Sequence, residues 1–111
     1  MTEEQKRAHA RQQILASARA MLDGRLSFIE GARRIAGWRL DVGLAEGDAD
    51  LMTFVAIESE TDTLPFGEVR QLWQPAALSR LQPEIDRAEK WAAEIGRQPC
   101  QNLIRRLDSP D

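Results

Sequence analysis

Glu58, Glu60 and Asp62, with Glu68 beyond a Pro/Gly turn, are the residues whose types and spacing come nearest to chemistry. Crowded carboxylates can bind Mg²⁺ or Ca²⁺ through oxygen, or divide into an acid and a base when burial drives their pKa values apart. Their spacing is not that of a calcium loop, which sets alternating acids ahead of a Gly and a distal Glu. The same stretch has a plainer use. Ser59, Thr61, Asp62 and Thr63 can form side-chain turns and caps ahead of Pro65, with Arg70 neutralising one of the acids. Such turns are commoner than metal sites, so no metal, no cofactor and no catalytic residue is expected. Nor is there a Gly-rich phosphate loop, a His-Glu-x-x-His pattern, a Ser nucleophile elbow or a zinc spacing. His9, the sole histidine, sits among Lys6, Arg7 and Arg11 and is expected on a solvated helix face.

Charge gives a stronger signal than any motif. Residues 1–40 hold eight Lys/Arg against four acids, whereas residues 41–68 hold eight acids and no base; the remainder is nearly balanced, with seven bases and six acids. Blocks of this kind either pair internally, here by laying the basic first third on the acidic middle, or offer a face to a charged partner. Arg33, Arg34, Arg105 and Arg106 are read as solvated helix positions. They are not interleaved with aromatics, and a pI near 5.2 is not that of a nucleic-acid-binding chain. Of the six aromatic residues three are Trp, which are expected in the core, although Trp73 beside the acidic turn has the character of an interface anchor.

The elements that must position these residues read as helices. Thr2 and Gln5 have the form of a capping box, and Ile14, Leu15, Ala18, Met21 and Leu22 form one apolar stripe ending near Gly24. Ser27 and Glu30 repeat the cap pattern ahead of Phe28, Ala32, Ile35 and Ala36, so the first two helices should form a hairpin. Residues 37–50 read as an extended connector, with Asp48 or Asp50 able to cap the next helix. In residues 51–57, Thr53, Phe54, Val55 and Ile57 favour a strand while Leu51, Met52, Val55 and Glu58 suit a helix face, and the stretch is assigned to a buried helix. Pro65 and Gly67 mark a turn that opens a short helix through Val69, Leu72 and Trp73. Leu78, Leu81, Ile85, Ala88, Ala92 and Ile95 then recur at spacings of 3 and 4. A break is expected at Pro83, because an interior proline costs about 3 kcal/mol. Gly96 and Pro99 are expected to end that helix and start a last one carrying Cys100, Leu103, Ile104 and Leu107.

The expected fold is therefore all-α: one helical bundle of five to six helices spanning residues 1–111, opened by a helical hairpin. A chain of 111 residues suits one domain, no apolar run approaches the ~20 residues of a membrane span, and the charged start lacks a signal-peptide core. A single Cys excludes an internal disulfide, and the chain is expected in the cytoplasm.

The combination Gly31-Ala-Arg-Arg-Ile35, Asp50-Leu-Met-Thr-Phe-Val-Ala-Ile-Glu-Ser-Glu-Thr-Asp62, Leu64-Pro65, Gly67-Glu-Val-Arg70 and Trp73 resembles a family of small bacterial proteins without an assigned activity. Size and acidic centre are similar to those of immunity proteins, which neutralise bacterial toxins by covering them. These likenesses imply a protein-binding module and not an enzyme. Its partner would be a basic toxin or effector domain, held by Glu46, Asp48, Glu58, Glu60, Asp62, Glu68 and Trp73. A metal-dependent enzyme or regulator using Glu58, Glu60 and Asp62 is the alternative, and a homodimer on the Leu78–Ile95 seam a third.

Overall fold

Thr2 accepts from the Gln5 backbone N–H at 3.1 Å while the Gln5 side chain accepts from the Thr2 N–H at 2.9 Å. This reciprocal box starts α1, Glu3–Leu22, in the computed structural model, which describes residues 1–108. α1 ends in a Schellman turn: Arg25 N–H reaches Ala20 O at 2.9 Å and Gly24 N–H reaches Met21 O at 3.2 Å. Gly24 stands at φ +77°, a conformation that costs a residue with a Cβ, so the hairpin turn needs glycine there.

α2, Phe28–Trp38, is capped by Ser27, which accepts from Glu30 N–H at 2.9 Å. The neighbouring donors are met from far along the chain, because Glu89 accepts from Phe28 N–H at 2.7 Å and from Ile29 N–H at 3.3 Å. Residues 39–48 form an irregular connector that buries Val42. α3, Ala49–Thr61, buries Leu51, Phe54, Ile57 and Thr61 along one face, so the ambiguous stretch is a helix. Spacings of 3, 3 and 4 suit a helix and would scatter these side chains over both faces of a strand. After a turn with buried Leu64 and Pro65, residues Gly67–Leu72 form a 3₁₀ segment.

α4 runs unbroken from Pro75 to Leu107, which corrects the expected break at Pro83 and the expected new helix near Pro99. At 1.5 Å per residue its 33 residues span about 50 Å, matching the molecule's longest dimension of 49 Å. The two prolines leave the carbonyls of Ser79 and Ile95 without their helical donor. Ser79, Pro83 and Ile95 all face solvent, where water can serve those carbonyls, while the buried side of the helix holds the axis in register. The seam also drifts. Beyond Ala92 the buried positions are Gly96, Cys100, Leu103 and Leu107, so Ile95 lies outside the core. A row of small side chains lets α4 approach closely: a Cβ on Gly96 would lie 3.1 Å from the Phe28 ring and 3.5 Å from Ile57.

One cluster gathers apolar side chains from α1, α2, α3 and α4, and no strand occurs among the described residues. Of the seam considered for a homodimer, Ile85, Ala88 and Ala92 pack within the chain, whereas Ile95 is exposed. The α1–α2 crossing is tighter still, since a Cβ on Gly31 would fall 2.1 Å from Met21 Sδ and 2.4 Å from Met21 Cγ. Gly31→Ala should therefore destabilise by about 1–3 kcal/mol through overpacking, despite the better helix propensity of Ala. Urea unfolding with an unchanged slope would measure it, and a neutral or stabilising result would mean that Met21 has room to move. Cys100 is fully buried with its thiol 3.9 Å from Met21 Sδ, and burial pushes its pKa up to about 12, the state of an inert core thiol.

Candidate partner-binding surface

The acidic middle is divided by α3. Asp48 is its N-cap, accepting from the backbone N–H groups of Asp50 and Leu51 at 3.1 and 3.2 Å. Arg106, in the last turn of α4, forks across both acids: its Nη2 lies 2.6 Å from Asp48 Oδ2 and its Nη1 lies 2.8 Å from Asp50 Oδ2. Asn102 Nδ2 donates to the other Asp50 oxygen at 3.0 Å. The hydrogen bonds from Arg106 hold the Asp48 carboxyl below its usual range, and the same pairing raises Arg106. Asp48 is thus engaged inside the molecule, and Arg106, read from sequence as a solvated position, is its partner.

The basic first third does lie against the acidic middle, α2 packing on α3, but not through ion pairs. Lys6 pairs with Glu3, Arg19 with Asp108 and Arg25 with Asp23, and among the described residues no ion pair joins residues 1–40 to residues 41–68. Nor does Arg70 neutralise an acid: it donates to Gln82 Oε1 at 3.3 Å. His9 remains on an exposed face, its ring edge-on to Trp38 with centroids 5.0 Å apart.

At the other end of α3 lie Glu58, Glu60 and Asp62, none of them in an ion pair among the described residues. They do not converge. Glu58 and Asp62, four residues apart, line a hollow with Arg33, Val55 and Ser59, whereas Glu60 lines another with Glu84, Arg87, Ala88 and Trp91. Among the described residues no three Asp, Glu, His or Cys side chains gather where a metal could sit. Glu46, exposed in the α2–α3 connector, lies beyond the opposite end of α3, a helix whose 13 residues span about 20 Å. The seven predicted contact residues therefore do not form one face.

The exposed segment that follows α3 was only partly legible. Residues 62–74 carry Glu68 together with Val69, Leu72 and Trp73, which are 56%, 85% and 38% exposed. Trp38 and Trp91 are half-buried and pack against the core, so Trp73 is the tryptophan most open to solvent. It lines a shallow cleft with Thr63 and Leu64, directly after Asp62, and with Ala77, Arg80, Leu81 and Glu84 of α4. Acids therefore flank a short apolar row. Val69 and Leu72 escaped sequence reasoning because their spacing of three suited a buried helix face as well as an exposed one.

Fold and surface together define an all-α helical bundle that displays an apolar, acid-bordered connector between its third and fourth α-helices. No protein family, curated protein or solved structure matches this chain. No helix among the described residues is long and apolar enough to cross a membrane.

Proposed function

We propose that the chain is a protein-binding module that contacts a basic partner through the connector after α3. One observation carries this reading: Val69 and Leu72 stand exposed in the 3₁₀ segment that carries Glu68, and exposed Trp73 lines a cleft with Glu84 and the residues that follow Asp62, while Glu60, Asp62 and Glu68 form no ion pair among the described residues. An apolar centre with a charged border is the usual anatomy of a contact surface, in which the border speeds association and the desolvated centre sets the dissociation rate. In its concrete form the module is an immunity protein, neutralising a toxin or effector domain by stoichiometric occlusion in the cytoplasm of a bacterium. The chain's size and acidic middle support that form. Asp48 leaves the contact set, and Glu46 and Glu58 take a peripheral place in it.

The test is capture of partners from the source cell with the intact protein as bait, washed at rising salt, followed by binding measurements on variants. Leu72→Ser should weaken the complex by roughly tenfold or more while leaving folding stability within about 0.5 kcal/mol, because that side chain is almost wholly in water. The double variant Glu60→Lys with Asp62→Lys should slow association and remove most of its salt dependence. Unchanged affinity in both variants would place any interface elsewhere.

A further inference from the structure

Arg33 belongs to α2, yet its side chain ends at the start of the connector. Its Nη2 donates to the carbonyls of Thr61 and Leu64, and its guanidinium carbon lies 5.2 Å from the centre of the Phe66 ring. Three consecutive features are thereby tied to one side chain: the last residue of α3, the turn after it and the residue before the 3₁₀ segment. The last turn of α3 contains no base and is followed by Asp62, so the negative end of its dipole has only a cation from another helix to offset it. Moreover, Arg33 Nε is buried without an acceptor, an arrangement that costs free energy and persists only where the other contacts outweigh it.

We propose that Arg33 is a positioning residue that holds residues 61–66 in the one conformation from which Val69, Leu72 and Trp73 are displayed. Its consequence for partner binding rests on the proposed function, but the clamp itself is a property of the free protein. Leu64 and Pro65 are also buried at this turn, Leu64 N–H reaches Thr61 O at 3.0 Å, and Arg70 donates to Gln82 at the far side of the connector, so loss of Arg33 loosens the end that leaves α3 without detaching it. Both carbonyl bonds come from a single nitrogen, so a lysine ammonium can replace them where an apolar side chain cannot.

Hydrogen exchange of the full-length protein, resolved by segment, tests this without any partner. In Arg33→Met, amides of residues 64–73 should exchange roughly tenfold faster or more, with those of α1 and of α4 beyond Ile85 nearly unchanged. Phe66→Leu, which removes only the ring, should give a smaller acceleration in the same segment. Arg33→Lys should recover most of the protection. Unchanged exchange in the connector of Arg33→Met, acceleration spread evenly over all helices, or Arg33→Lys exchanging as fast as Arg33→Met would each overturn the clamp. Failure of partner capture would sink the proposed function and leave these exchange rates standing.

Discussion

Phe54→Ala is expected to lower the unfolding free energy by about 3–5 kcal/mol, the range for removing a large aromatic from a packed interior. Phe54 is the largest fully buried side chain in the molecule, and it lies on the face of α3 that meets both α2 and α4. Helices held on two sides cannot close on the space left behind. At roughly 4 °C per kcal/mol for a domain of this size, the melting temperature should fall by about 12–20 °C. Met52→Ala, two residues away on the open face, is the control and should stay within about 0.5 kcal/mol of the parent. Equal losses in the two variants would mean that the buried face of α3 is not the one described.

Arg106→Ala should cost about 2 kcal/mol at neutral pH. Its removal strands two carboxylates whose side chains are only 10% and 15% exposed. A fully buried pair broken this way costs roughly 3–5 kcal/mol, but Arg106 is itself 40% exposed, so water reaches the site and screens part of the loss. The dipole at the start of α3 also continues to favour both acids. The pH dependence is set by the sign of the Asp48 shift. Its folded pKa lies below the ordinary 3.8, so the unfolded chain takes up the proton first. Its contribution is complete above that value and disappears as the pH falls through the folded pKa. Wild type and Arg106→Ala should therefore differ most near pH 7 and converge as the pH is taken progressively below 3.8. Denaturant titrations across that range measure both curves, and a gap that persists in acid would mean that Arg106 acts through packing and not through charge.

Local chemistry made much of the fold legible. The Thr2–Gln5 box, the Ser27 cap and the glycine after α1 are bonds closed within a few residues, and they stand where the sequence places them. The buried stripes of α1 and α2 follow from spacing, but that of α3 does not: the face expected from Leu51, Met52, Val55 and Glu58 gives way to one of Leu51, Phe54, Ile57 and Thr61, and Met52 is exposed. What failed was of longer range. A proline penalty is a local quantity, and it misjudged α4 because the core-facing side of that helix stays packed while the freed carbonyls face water. Ile95 and Gly96 differ by one position, and only the helices packed beside them show that the seam turns onto the glycine.

The candidate surface divides in the same way. Charge blocks announce that residues 41–68 are acidic, but not which acids are already satisfied. Arg106 is 56 residues from Asp50, Glu89 is 61 from Phe28, and Arg33 is 28 from Thr61. No pattern in a linear text encodes such pairings. Propensity, spacing and composition were enough for an all-α chain, its first two helices and an acidic middle, but left residues 51–57 between strand and helix and their cap between Asp48 and Asp50. Only the tertiary structure decided that Asp48 and Asp50 face inward, that Glu58 and Glu60 look onto different hollows, and that Leu72 and Trp73 stand in solvent. Burial and ion pairing belong to residues brought together in space, and those neighbours exist only once the helices have packed.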